Sequence, residues 1–185
     1  MAAIPRHAFV DEALIPQAYG DTRLNIGFGQ TMSQPSTVAQ LAQALKLEGG
    51  ESVLEIGTGC GYQTAVLASL ALRIYSIERL RPLLLKGRAN LKRLQVRNVV
   101  LKYGDGSQGW PSKAPFDAIV AAAVSPIVPE PLIHQLKEGG RLVLPVERGG
   151  RQYLIRIVRR GGSFKEENLG ECRFVKMVGR NAYSD

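Results

Sequence analysis

The sequence predicts an α/β fold: a doubly wound, mainly parallel sheet with helices on both faces, an antiparallel C-terminal edge and an N-terminal arm. Three observations carry this expectation. Short runs rich in Val, Ile and Leu alternate with helical patterns from Ser52 to Val146, as in a parallel sheet buried on both faces. The first run, Val53-Leu54-Glu55-Ile56, leads into a glycine-rich turn, Gly57-Thr58-Gly59-Cys60-Gly61, that opens a helix at Tyr62. The second, Ile74-Tyr75-Ser76-Ile77, ends on an acidic residue, Glu78.

Taken in order, residues 1–36 read as an irregular arm, because Pro5, Pro16, Gly20, Gly27, Gly29 and Pro35 interrupt any long element. Phe9, Leu14, Ile15, Tyr19, Leu24, Ile26 and Phe28 are spaced along it to pack onto a body. A helix follows at Thr37–Leu45, with Val38, Leu41, Ala42 and Leu45 on one face and Gly49-Gly50 beyond its end. The core then runs as strand Ser52–Ile56, helix Tyr62–Leu70, strand Arg73–Ile77, helix Arg81–Leu94 and strand Val99–Tyr103. Strand Phe116–Ala121, a short helix near Pro131–Gln135 and strand Arg141–Val146 complete it. In the tail, Gln152–Arg159 and Glu171–Val178 read as an antiparallel pair with a turn at Arg160-Gly161-Gly162-Ser163. The whole is expected to be one domain, with 37–150 as the ligand-binding core and 151–185 as the C-terminal strands.

Composition narrows the class. A chain of 185 residues with 45% hydrophobic content is enough for one domain with a substantial core. No apolar run reaches the length of a membrane span, and the N-terminal residues contain no signal-peptide core. Cys60 and Cys172 lack metal-ligand spacing, so no metal site is expected and a reducing cytoplasm is the default. Cys60, inside the glycine turn, reads as a small filler facing the ligand. The net charge of +8 permits an acidic partner without demanding one, since the basic residues are spread through 79–97 and 148–165.

In an open parallel sheet, ligands bind beyond the carboxyl ends of the strands. Those ends are Gly57–Gly61, Glu78, Gly104-Asp105-Gly106 and Ala121–Ser125. The glycine spacing is GxGxG, not the GxGxxG of a dinucleotide site. A pyrophosphate would be repelled by carboxylates in this turn and would prefer bare N–H groups at a helix start. S-adenosylmethionine suits the site better: its ammonium and sulfonium would lie near Glu55, its ribose diol on Glu78, and its adenine amino group on Asp105.

Several segments, in order along nearly the whole chain, resemble the protein-L-isoaspartate O-methyltransferase family. They include Pro5-Arg6-His7-x-Phe9-Val10, Gly27-x-Gly29-Gln30-Thr31-Met32-Ser33-Gln34-Pro35, Val53–Tyr62 and Gly104-Asp105-Gly106-x-x-Gly109-Trp110-Pro111. The glycine motif is shared by many class I, Rossmann-like methyltransferases; the Gly-Gln-Thr-Met-Ser-Gln-Pro loop is far more specific. The resemblance implies methyl transfer from S-adenosylmethionine, leaving S-adenosylhomocysteine, to the free α-carboxylate of L-isoaspartyl residues in damaged proteins. It implies that the loop lies over cofactor and substrate, with Ser33 and Thr31 as catalytic candidates. Implied cofactor contacts are Met32, Gln34, Glu55, Gly57, Thr58, Gly59, Gly61, Glu78, Asp105 and Gly106. Phe174–Gly179 resembles the family's closing strand. Departures are Ser36, where an aromatic residue is common, Ala121-Ala122 after the fourth core strand, and a start close to the Pro-Arg-His stretch, which suggests a short or truncated member.

The chemistry asks for little more. A carboxylate is already ionised at neutral pH, so no strong base is needed. Proximity and desolvation would supply the rate, with the Thr31 and Ser33 hydroxyls orienting one carboxylate oxygen. Of the two histidines, His134 reads as structural, near an apolar face, and His7 as a cap or orienting group for the arm. Isoaspartyl proteins and peptides are the expected partners, with no stable nucleic-acid complex and no membrane; the sequence does not give the oligomeric state, and a monomer is favoured. Two rival readings remain: an RNA methyltransferase, which suits the charge but lacks an Asn/Asp-Pro-Pro-aromatic motif after the fourth core strand, and a non-catalytic cofactor-binding domain.

Overall fold

The computed structural model describes Met1 and residues 3–184. Two short 3₁₀ helices, Arg6–Phe9 and Glu12–Gln17, precede a hairpin of β1 (Leu24–Gly27) and β2 (Gln30–Met32). Then follow α1 (Pro35–Leu45), β3 (Ser52–Ile56), α2 (Tyr62–Ala68), β4 (Arg73–Glu78), α3 (Arg81–Arg93), β5 (Val99–Tyr103) and β6 (Phe116–Ala121). The chain ends with α4 (Glu130–His134), β7 (Leu136–Arg148), β8 (Arg151–Arg160) and β9 (Ser163–Glu171). The main sheet has seven strands in the order β5-β4-β3-β6-β7-β8-β9. β5, β4, β3, β6 and β7 pair in parallel, and β8 and β9 add antiparallel at the edge. No helix among the described residues is long and apolar enough to cross a membrane.

Alternation along the strands sorts the core into two layers. Val53, Ile74, Ala118 and Val143 share one face with Leu41 and Leu45 of α1 and Leu67 of α2. Leu54, Ile56, Ile77, Ile119 and Leu142 share the other with Leu132 of α4. A third cluster binds the arm to the body: Phe9, Leu24 and Ile26 pack with Tyr62, Val66, Leu83 and Leu91. Each such buried side chain is worth about 1.5–3 kcal/mol. Arg6 locks the arm further. It is only 2% exposed, its Nε donates to the Ala18 carbonyl at 2.8 Å, and its guanidinium lies 4.7 Å from the Tyr62 ring centre.

Three expectations are corrected. The arm is not irregular throughout, because Gly27-Phe28-Gly29, all at positive φ, turns the β1–β2 hairpin. Asn25 Oδ1 accepts the Gly27 N–H at 2.7 Å and steadies the turn. The arm's apolar residues also divide: Phe9, Leu24 and Ile26 are buried, whereas Ile15, Tyr19 and Phe28 are exposed. β7 starts at Leu136, not Arg141, since a register shift near Asp117 lets Gly139-Gly140 pass inside a continuous ladder. The last antiparallel strand is Ser163–Glu171, not Glu171–Val178. β9 is almost wholly exposed and held by backbone pairing and by ion pairs such as Arg148–Glu166 (2.7 Å) and Arg156–Glu167 (2.5 Å). The apolar residues after it, Phe174 and Met177, are buried, and the segment returns to the end of β6, where Val124 N–H donates to the Val175 carbonyl and Met177 N–H to the Val124 carbonyl. A polar sequence forms the edge strand and an apolar one leaves the sheet, because only the latter gains from burial.

Glu55 also lies elsewhere than expected. Alternation places it on the Val53 face of β3, beneath α2, with no exposed surface. Its carboxyl accepts from Thr64 Oγ1 (2.5 Å), Ser76 Oγ (2.6 Å) and Gln63 Nε2 (3.1 Å), joining β3, β4 and α2. Ser76 in turn shares a 2.6 Å hydrogen bond with Thr58 of the glycine turn. Burial outweighs these donors and pushes the Glu55 carboxyl up to about 7. The folded protein therefore keeps this proton through a range where the unfolded chain, near 4.5, has released it. Stability falls as pH rises across that window, by about 2–4 kcal/mol. Glu55→Gln, which stays neutral, removes this slope: in urea titrations the stability of wild type relative to the variant drops between pH 5 and pH 8. Parallel profiles for the two proteins would contradict the assignment.

Candidate active site

Two adjoining compartments open beyond the carboxyl ends of β3, β4 and β6. The larger is bordered by Ile56, Gly57 and Gly59 from the first turn, by Ile77, Glu78, Arg79 and Leu80 from the second, and by Gly106 and Ala122 from the third and fourth. The smaller is bordered by Gly57, Thr58, Gly59, Cys60 and Gln63 on one side and Thr31, Met32 and Ser33 on the other. Gly57, Gly59, Thr31, Ile26 and Ala122 face both, so the two are parts of one site. The chain closes over it from both ends, with the β1–β2 hairpin on one side and Val175–Val178 on the other.

The glycines have distinct reasons. Gly57, Gly59 and Gly61 all have positive φ, which a side chain would strain. A Cβ on Gly59 would stand 3.2 Å from Ile26 Cδ1, and one on Gly106 would overlap Ile56 Cγ2 at 2.3 Å. Gly61 borders neither compartment; it begins α2 and lies against α3, where a Cβ would meet Gly87 O and Leu91 Cγ at 3.2 Å.

Glu78 is the carboxylate that reaches the site. It is 6% exposed and borders the larger compartment. Its Oε2 accepts the Gly59 N–H at 2.8 Å and its Oε1 the Leu80 N–H at 2.9 Å, which fixes both oxygens while leaving acceptor capacity for a diol. Asp105 is spent otherwise. Oδ1 accepts from Ser107 N–H (2.9 Å) and Oγ (2.7 Å), and Oδ2 from Gln108 Nε2 (3.0 Å) and Arg180 N–H (2.9 Å). Desolvation opposes its charge, but these donors win and hold its carboxyl below the usual range. It borders a surface hollow outside the two compartments and clasps the C-terminal segment in place. In this arrangement its four acceptor bonds go to the chain itself.

The loop hydroxyls are uncommitted. Among the described residues neither Thr31 Oγ1 nor Ser33 Oγ has a hydrogen-bond partner, and both border the smaller compartment. Met32 is 4% exposed and lines the same space, but Gln34 turns away, its Nε2 donating to Ser36 Oγ at 2.9 Å. Cys60 is the expected filler there, its thiol pushed up to about 11 by burial and so no nucleophile at neutral pH. The histidines stay outside. His7 Nδ1 pairs with the Tyr19 hydroxyl at 2.6 Å, and His134 is exposed beside Glu130, not on an apolar face.

Gln63 is the residue the sequence reading missed. It is 8% exposed, its Nε2 donates to Glu55, and among the described residues its buried Oε1 has no partner. The side chain borders the smaller compartment, so it offers an acceptor that asks for a donor on the bound molecule. Its one sequence signal was its place in the second helical position after the turn.

A family model described as Protein-L-isoaspartate(D-aspartate) O-methyltransferase matches residues 1–182. The chain is 54% identical over 181 residues to the protein-L-isoaspartate O-methyltransferase of Geobacter metallireducens, covering 97% of this chain and 84% of that one. Among solved structures, a protein-L-isoaspartate O-methyltransferase superposes with a TM-score of 0.89 at 30% identity, over 97% of this chain and 60% of that one. A Plasmodium falciparum chain described as the same enzyme, in complex with S-adenosyl-L-homocysteine, gives a TM-score of 0.81 at 26% identity, over 95% of this chain and 86% of that one. With a family model matching residues 1–182 and 54% identity to a relative over 97% of this chain, the chain belongs to the protein-L-isoaspartate(D-aspartate) O-methyltransferase family.

Proposed function

We propose that the larger compartment takes the nucleoside end of S-adenosylmethionine, that the smaller takes its methionine end, and that Thr31 and Ser33 hold the isoaspartyl carboxylate against it. The reaction is the family's: S-adenosylmethionine-dependent methylation of L-isoaspartyl residues, a step of protein repair. The residues present fit this cofactor. The glycine turn leaves bare backbone at the site, Glu78 offers acceptor capacity to ribose hydroxyls, and Gln63 Oε1 is an unpartnered acceptor suited to the ammonium group. When bound, S-adenosylmethionine presents a methyl group already activated by the positive sulfur.

The chain's own residues then have two tasks. Thr31 and Ser33 donate hydrogen bonds to one oxygen of the α-carboxylate and leave the other free to attack in line; no proton needs to be removed. Apolar walls from Ile26, Met32, Val38 and Ala122 exclude water from the attacking oxygen. The observation that carries this reading is the pair of uncommitted hydroxyls in the compartment shared with the glycine turn. The RNA-methyltransferase reading has no comparable support in the site.

Ser33→Ala should lower kcat about ten- to a hundredfold while the dissociation constant of S-adenosylhomocysteine, measured by calorimetry, stays within about threefold. A loss confined to cofactor binding would make Ser33 a cofactor ligand. Glu78→Ala should weaken S-adenosylhomocysteine about tenfold or more, and unchanged affinity would refute the ribose assignment. For Gln63→Leu, affinity for S-adenosylhomocysteine should fall about tenfold while an analogue lacking the α-amino group binds both proteins alike. Equal losses for the two ligands would remove Gln63 from the ammonium site.

A further inference from the structure

On the outer side of the catalytic loop lies a groove of about 580 Å³ that the methyl-transfer site does not use. Gln34 and Ser36 form one wall, next in the chain to Ser33, and Arg173 and Phe174 of the C-terminal segment form the other, with Arg23 at the mouth. Ser33 borders the inner compartment and the next residue, Gln34, borders the groove, about 3.8 Å away from Cα to Cα. A polypeptide that delivers a carboxylate to Ser33 must run its neighbouring residues past this loop.

The groove is electrostatically one-sided. Arg23 and Arg173 are exposed, and among the described residues neither guanidinium has an ion pair or hydrogen bond. The acidic side chain on its rim, Glu171, is already paired with Arg151 at 3.1 Å. The nearby Asp21 carboxylate is turned to the Ser36 N–H, which it accepts at 2.9 Å. Elsewhere on this surface arginines are matched to glutamates, as at Arg148–Glu166, Arg151–Glu171 and Arg156–Glu167. Beside the Ser33 loop, by contrast, two cations without a partner border one groove.

We infer that this groove binds the residues flanking the isoaspartyl unit, and that Arg23 and Arg173 select acceptor peptides with an acidic side chain close to it. This rests on the methyl-transfer reading of the Ser33 site and names the substrate class that site prefers. Selection is by charge, so it tolerates varied sequences, as an enzyme acting on damage at many positions requires. Arg23 and Arg173 are specificity residues: they touch the flanks of the acceptor, not the reacting atoms.

The test uses peptides with L-isoaspartate at one position and Glu, Gln or Lys placed in turn at the two positions on either side. Values of kcat/KM are compared for wild type, Arg23→Gln, Arg173→Gln and the double variant at low salt. Wild type should favour Glu over Gln about three- to tenfold at one or two positions, as expected for exposed pairs, and disfavour Lys. The preference should fade in 0.5 M NaCl, shrink in each single variant and vanish in the double one. The position of greatest effect gives the direction in which the peptide lies. Equal rates for Glu and Gln peptides in wild type, or a preference that survives the double substitution, would overturn the inference. Because the Gln peptides carry no flanking charge, their methylation reports the underlying reaction separately: if none is methylated, the Ser33 reading fails and this inference with it.

Discussion

A buried carboxyl fastens the ligand turn to the sheet. Glu55 sits within three hydrogen bonds to Thr64, Ser76 and Gln63, and Ser76 passes the connection on to Thr58. β3, β4, the turn and α2 are thereby held in one arrangement. Placing a carboxyl where no solvent reaches it costs stability as pH rises, and that cost is tolerated because the site depends on the turn's position. The same group fixes Gln63, whose amide nitrogen faces Glu55 and whose buried oxygen has no partner among the described residues. With no exposed surface, Glu55 serves the site by holding Gln63 and the turn in place.

The rest of the site is assembled from distant parts of the chain. The carboxyl ends of β3, β4, β5 and β6 gather Gly57, Glu78, Gly106 and Ala122. The N-terminal arm adds the hydroxyl loop, anchored by Arg6 and Phe9 against Tyr62 at the start of α2. The C-terminal segment adds Val175–Val178, clasped by Asp105 and Ser107 through the backbone of Arg180 and Asn181. Neither end segment belongs to the main sheet, yet both bound the ligand space. Their attachments rely on buried side chains and charge-assisted hydrogen bonds, which hold without a continuous ladder.

Much of this was legible from residue order. The apolar runs gave β3, β5 and β6 their bounds. The GxGxG turn and the Thr31–Ser33 loop, both singled out in the sequence, border one cavity. What was misread follows from two physical rules. Strand alternation was not applied to Glu55: two residues after Val53, it must point to the same buried face, however acidic it is. The clasp on Asp105 was not foreseen either, because one of its donors, the Arg180 N–H, lies 75 residues away. Apolar periodicity placed the last strand at Glu171–Val178 because a polar edge strand, held by backbone and ion pairs, has no hydrophobic signal to read. Gln63 was missed because an orphaned acceptor exists only once its amide partner is known.

The central claim is that this site recognises the isoaspartyl linkage itself. It is tested most directly by methyl transfer from labelled S-adenosylmethionine to two peptides of one sequence, with L-isoaspartate or L-aspartate at a single position. Transfer to the isoaspartyl peptide alone is predicted. Equal transfer to both, or transfer to neither with the cofactor still bound, would contradict the account.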